Sequence, residues 1–222
     1  RVLRTVHVRD AARIEIAGTT YINLASNDYL GLSTHPKVTA AASEAALQYG
    51  AGSGASRLVS GNLELYARLE NRLAEIKGTE AALVFPSGYH ANLGLISALA
   101  GPGDAIVMDR LAHASLVDAA RLSRARIKVF PHNDAEALDG ILARTPSETK
   151  IVLAESVYSM DGDLAPAEAL AEVCEQHEAL LIVDDAHGFG VIGATGRGVQ
   201  ETLSQRYQGL IVMGTLSKAM GA

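Results

Sequence analysis

Two apolar runs of the chain end in groups that can do chemistry. Leu210-Ile211-Val212-Met213 leads through Gly214, Thr215, Leu216 and Ser217 to Lys218. Leu180-Leu181-Ile182-Val183 leads to Asp184, Asp185, Ala186, His187 and Gly188. Such runs read as buried parallel strands, and open α/β sheets place ligands beyond the carboxyl ends of their strands. An amine held there among apolar neighbours can lose its proton and act as a nucleophile, although most lysines are simply solvated. Lys218 follows Asp184 by 34 residues, a spacing that suits one parallel crossover, so both strand ends can face one crevice.

The elements that would position these groups form a repeating series. Strand patterns at 81–85, 105–108, 127–130 and 151–154 alternate with helix patterns at 88–100, 115–123, 135–143 and 166–177. The strands beginning at Leu180 and Leu210 complete the series. Continuous apolar strands in repeated βα units predict an α/β fold, a mostly parallel sheet with helices on both faces. Upstream, 13–16 and 21–24 around Gly18-Thr19-Thr20 predict a hairpin. A helix is expected from Pro36 to about Tyr49, with Ser33 and Thr34 available as caps. A glycine-rich loop, 50–57, precedes a second helix that Gly78 ends. That loop lacks the lysine of a P-loop and reads equally as a tight connector or a substrate-lining loop. Residues 1–35 form an N-terminal arm in this reading, and 36–222 one large domain.

Further polar groups fall at strand ends or helix starts. Ser87-Gly88-Tyr89 opens a helix whose free N–H groups suit a phosphate, unless Ser87 only caps it. His113 follows the second strand of the series, and Ser159 follows the fourth. Asp184, Asp185, His187 and His113 are metal ligands by type, but a metal would leave Lys218 and the anion-binding turn without work. A dinucleotide fold is disfavoured because the first strand is not followed by G-x-G-x-x-G. A reactive lysine, a buried acid, imidazoles and a phosphate-binding helix start together fit pyridoxal phosphate: the lysine forms a Schiff base and the acid keeps the ring nitrogen protonated.

Bulk properties exclude other classes. A net charge of −6 with no basic stripe argues against a nucleic-acid partner. No apolar run is long enough to cross a bilayer. The single cysteine, Cys174, forbids an internal disulfide, fits a reducing cytoplasmic compartment and reads as a packing residue.

The chain resembles the α-oxoamine synthases, pyridoxal-phosphate enzymes of fold type I. The matching stretches are Ser26-Asn27-Asp28-Tyr29-Leu30-Gly31, His113-Ala114-Ser115, Ser159-Met160-Asp161-Gly162, Val183-Asp184-Asp185-Ala186-His187-Gly188 and Gly214-Thr215-Leu216-Ser217-Lys218. The resemblance implies that Lys218 forms the Schiff base and Asp184 meets the pyridine nitrogen. It implies that His187 bonds the phenolic oxygen, His113 stacks on the ring and meets substrate, and Gly88, Tyr89 and Thr215 hold the phosphate. Ser159 would line the cofactor pocket, and Asn27 and Arg1 would face the substrate, with Arg4 competing for the role of Arg1. The implied reaction is a decarboxylative condensation of an amino acid with an acyl thioester. The stretches 52–61 and 161–166 favour L-alanine and a pimeloyl thioester, carried on coenzyme A or an acyl carrier protein, as in biotin biosynthesis; glycine with an acetyl thioester is second. A non-catalytic partner subunit of the same fold is the rival of a different class. Relatives continue past the lysine and act as homodimers, so the sequence reads as cut there, its C-terminal small domain absent. By itself the chain is expected to be inactive or to aggregate, because it would expose sheet edges and apolar surface.

Overall fold

The computed structural model describes every residue except 1, 2, 8, 9, 11, 205 and 206. Two compact units emerge, one of residues 84–215 and one of residues 1–83 with 216–222.

The unit of residues 84–215 is built on five parallel strands, β3 (Ala105–Asp109), β4 (Arg126–Phe130), β5 (Lys150–Glu155), β6 (Leu180–Asp184) and β7 (Leu210–Met213). Their order across the sheet is β4-β3-β5-β6-β7. Side chains alternate between faces along each strand, so the sheet divides its apolar residues between two cores. Val107, Val152, Leu181 and Val183 point one way and pack on Leu138 and Leu142 of α5 (Ala135–Ala143) and on Leu170 and Cys174 of α6 (Ala167–Gln176). Ile106, Met108, Ile151, Leu153 and Ile182 point the other way and meet Ile96 of α3 (Gly88–Leu99) and Leu116 and Ala120 of α4 (Ala114–Ser123). Burial on both faces explains why β3, β5 and β6 read as unbroken apolar runs. The Cys174 thiol is fully buried, and burial pushes its pKa up to about 12, which makes it inert packing.

The expected strand at 81–85 is not formed. These residues join no ladder among the described residues, and the sheet order has no place for them. Strand propensity is set by the pairing a run finds in the fold, so composition alone misassigned it.

Three loops beyond the strand ends are tied together by one imidazole. His132 Nδ1 lies 2.9 Å from Asp109 Oδ1 at the end of β3, and Nε2 lies 2.7 Å from Asp163 Oδ2 in the loop after β5. Asn133 adds its backbone N–H to Asp109 and its amide to Asp163, both at 2.9 Å. The Tyr158 ring stands edge-on to the imidazole at 4.3 Å.

The unit of residues 1–83 and 216–222 begins with a hairpin of β1 (Arg13–Ile16) and β2 (Thr19–Ile22). Ala17 and Gly18 both have positive φ, the two-residue turn whose twist suits a hairpin. Because that turn ends at Gly18, Thr19 and Thr20 pair with Ile16 and Glu15, and the second strand starts two residues before the expected Tyr21. Helix α1 (Pro36–Tyr49) has Pro36 in its first turn, but His35 caps it, its Nδ1 accepting from the Lys37 N–H. Ser33 is not the cap; it donates to Asp28 Oδ2 at 2.7 Å. Helix α2 (Glu64–Lys77) ends at Gly78 in the left-handed conformation. Arg57 fastens the glycine-rich loop to α2 through a two-pronged pair with Glu70, at 2.7 and 3.0 Å, and lies over the Tyr66 ring. At Gly221, a Cβ would stand 2.2 Å from the Ser33 nitrogen, and φ is +69°, so only glycine lets the segment 216–222 lie against residues 32–33.

Burial opposes protonation of His132, but hydrogen bonds and charge from Asp109 and Asp163 outweigh it and raise the pKa above its ordinary 6.5. A raised folded-state value means that this contribution to stability is complete below about pH 6.5 and is lost as pH rises through the folded-state value. Denaturant unfolding is therefore expected to show stability falling as pH climbs above about 6.5, and His132→Gln should flatten that dependence; an unchanged slope would exclude the clamp.

Candidate functional site

Strand β6 carries Asp184 to the end of its ladder, where the carboxylate remains only 5% exposed. Its Oδ1 accepts from the Ala186 N–H at 3.1 Å and its Oδ2 from Asn92 Nδ2 at 2.9 Å. Asn92 sits inside α3 with no exposed surface and also donates to Ser115 Oγ at 2.9 Å. Ser115, in the first turn of α4, lies 2.7 Å from His113 Nδ1, and its own N–H donates to the same nitrogen at 3.2 Å. Asp184, Asn92, Ser115 and His113 thus form one chain of hydrogen bonds from the end of β6 across two helix starts.

The start of α3 stands beside the end of β7. A Cβ on Gly88 would meet the Met213 sulfur at 3.6 Å and the Thr215 Cβ at 3.9 Å. Ser87 does cap the helix, its Oγ accepting from the His90 N–H. Capping by Ser87 leaves the first-turn N–H groups of Gly88 and Tyr89 without intrahelical partners. The Tyr89 hydroxyl donates to Asp118 Oδ2 at 2.9 Å, which raises the phenol's pKa.

His187 is half-buried two residues past Asp185. Asp185 is fully buried and serves the backbone: the Val199 N–H reaches both of its oxygens at 3.3 Å. Ser159 lies on an exposed turn, its N–H bonded to Glu155 Oε2 at 3.2 Å.

The other unit holds the remaining candidates. Asn27 accepts from the Tyr29 hydroxyl at 3.2 Å. It lines a polar hollow of about 380 Å³ with Asn23, Asp28, Ser33, Ser217 and Gly221. Lys218 is half-buried in the turn beyond Ser217, its carbonyl accepting from the Gly221 N–H at 3.0 Å. Arg1 lies outside the described residues.

Sequence reasoning missed Asn92 altogether and gave Ser115 no role. The signal was present: Asn92 is a lone amide in the apolar run Ala91-Asn92-Leu93-Gly94-Leu95-Ile96, where an unpaired polar group would be costly.

A parallel sheet with polar groups gathered at its carboxyl ends defines a broad class of enzymes, and the comparisons narrow it. The aminotransferase class I and II model matches residues 19–222, and the chain belongs to that family. It is 53% identical over 222 residues to an 8-amino-7-oxononanoate synthase from Geobacter sulfurreducens, covering 100% of this chain and 57% of that protein. A synthase of the same name from Mycobacterium sp. (strain KMS) is 52% identical, with 99% and 58% covered. The chain therefore spans just over half the length of the curated relatives it matches.

Among solved structures, a serine palmitoyltransferase from S. paucimobilis described as holding PLP superposes with a TM-score of 0.93 at 38% identity, covering 98% of this chain and 56% of that one. The 8-amino-7-oxononanoate synthase of Francisella tularensis gives 0.77 at 30% identity, with 89% and 55% covered. Among the described residues no helix is long and apolar enough to cross a membrane.

Gly188 is the steric keystone of the turn after Asp184. A Cβ there would stand 2.1 Å from Asp185 Oδ1 and 2.7 Å from Ser156 Oγ. Gly188→Ala is expected to destabilise the chain by about 1–3 kcal/mol in denaturant titration; an unchanged midpoint would show that the turn relaxes freely.

Proposed function

We propose that this chain is the cofactor-binding part of a pyridoxal-phosphate enzyme that condenses L-alanine with a pimeloyl thioester to give 8-amino-7-oxononanoate, CO2 and free thiol. The observation that carries this reading is the buried, doubly hydrogen-bonded Asp184 carboxylate at the end of β6, in a chain 53% identical to a synthase of that name. Residues 36–222 form the cofactor domain in this reading. The whole protein is a cytoplasmic homodimer, and its thioester is carried on coenzyme A or an acyl carrier protein.

Pyridoxal phosphate supplies an electron sink for a carbanion at the substrate Cα. The residues present fit it by donor type. Asp184 offers an ionised acceptor for a protonated ring nitrogen, and the first-turn N–H groups of Gly88 and Tyr89, with the nearby Thr215 hydroxyl, suit its phosphate. Lys218 would hold the cofactor through its side-chain amine, and the same amine would serve as the base for the substrate Cα proton. His187 would bond the phenolic oxygen, and His113 would cover the ring face and meet substrate. Ser159 borders the pocket, and Asn27 orients the substrate together with Arg1.

A second reading is supported by the backbone likeness to serine palmitoyltransferases, which exceeds that to the Francisella synthase. It is another acyl-transferring synthase of the group, such as a glycine C-acetyltransferase. The 53% identity to the Geobacter synthase supports the alanine enzyme, whereas the Francisella synthase, at 30%, is less similar than the serine palmitoyltransferase, at 38%. Mass spectrometry of products from the whole protein, offered alanine, glycine or serine and a panel of acyl thioesters, separates the two. A non-catalytic subunit would make no product with any pair.

Lys218→Ala is expected to abolish turnover and the visible absorbance change on adding pyridoxal phosphate; retention of both would refute the assignment. Asp184→Asn should slow exchange of the alanine α-proton with deuterated solvent by about 10²-fold or more while changing cofactor affinity far less. Equal loss of the two would make Asp184 a binding group only.

A further inference from the structure

We propose that Asn92 and Ser115 form a directional hydrogen-bond relay from Asp184 to His113 that holds the neutral His113 ring as its Nε2–H tautomer. Its value for catalysis rests on the reading of Asp184 and His113 given above, but the relay itself is a property of the chain alone.

The direction follows from what each group can donate. An ionised carboxylate only accepts, so the Asn92 group facing Asp184 Oδ2 at 2.9 Å must be the amide nitrogen. The same nitrogen faces Ser115 Oγ at 2.9 Å, which uses its second hydrogen and makes the hydroxyl oxygen an acceptor. Asn92 Oδ1 is left buried without a hydrogen-bond partner among the described residues, as expected if the amide is oriented by its donors. The Ser115 hydrogen is then available to His113 Nδ1, 2.7 Å away. The Ser115 backbone N–H points at that nitrogen too, at 3.2 Å. A proton on Nδ1 would meet this second hydrogen head-on, so Nδ1 is the acceptor and the ring proton resides on Nε2.

Asn92 and Ser115 are both buried, at 0% and 1% exposure, so water does not compete for the bond between them. The consequence is a coupling between two groups that never touch. The carboxylate of β6, by fixing one amide, determines which nitrogen of the exposed imidazole that caps α4 can donate. Asn92 and Ser115 are positioning residues, acting through Asp184 and His113.

Histidine tautomers are read directly by 15N NMR of protein carrying 15N-labelled histidine, with no cofactor added and at alkaline pH. The His113 signals are identified by their loss in His113→Gln. The expected result is one tautomer, with an unprotonated Nδ1 and a protonated Nε2. In Ser115→Ala and in Asn92→Leu both shifts should move toward the average of a free, exchanging imidazole, whereas Ser115→Thr should keep the parent values. A protonated Nδ1 in the parent overturns the relay, as do parent shifts retained in a folded S115A or N92L. If either variant fails to fold, the parent spectrum alone decides. Failure to bind pyridoxal phosphate would sink the proposed function yet leave these shifts as they are.

Discussion

A strand buried on both faces can present an ionised group only where its backbone ladder runs out, and β6 obeys that limit. Leu181, Ile182 and Val183 fill the two cores, and the next residue is a carboxylate. Taking a charge out of water costs several kcal/mol unless donors replace the solvent, and here they come from the Ala186 backbone and the Asn92 amide. The burial of Asn92 within α3, the first turn of α4 and the setting of His113 all follow from that need. The site is thus an outgrowth of the sheet's packing.

The parallel sheet was legible because its strands carry their signal locally. A continuous apolar run followed by glycine and an amphipathic helix leaves few alternatives, and α5, for example, occupies its expected residues 135–143. Features that depend on distant partners were not legible. Residues 81–85 have a strand's composition, but no ladder among the described residues receives them. Ser33 and Thr34 have the chemistry of caps, yet Ser33 is engaged by Asp28 and the cap falls to His35. In the site, Asp184 and His113 could be picked out by residue type at strand ends. Asn92 could not, because its two partners lie 23 and 92 residues away in the chain.

The two kinds of likeness speak to different properties. Backbone superposition follows the sheet and its helices, which serine palmitoyltransferases share with this chain at a TM-score of 0.93. Sequence identity weighs every position, and the Geobacter 8-amino-7-oxononanoate synthase is 53% identical over the whole chain. The fold is common property of the group, while the choice of amino acid and acyl chain belongs to a few side chains mounted on it.

The missing side chain at Gly221 has a consequence for sequence drift. Residues 32–33 occupy the place where any Cβ would go, and Asp28 in turn holds Ser33. An acid, a hydroxyl and a bare α-carbon, scattered over nearly the entire length of the polypeptide, thus meet in one place. Because the clash is with backbone, no side-chain change at Asp28 or Ser33 makes room at Gly221, and the turn bearing Lys218 inherits that restriction.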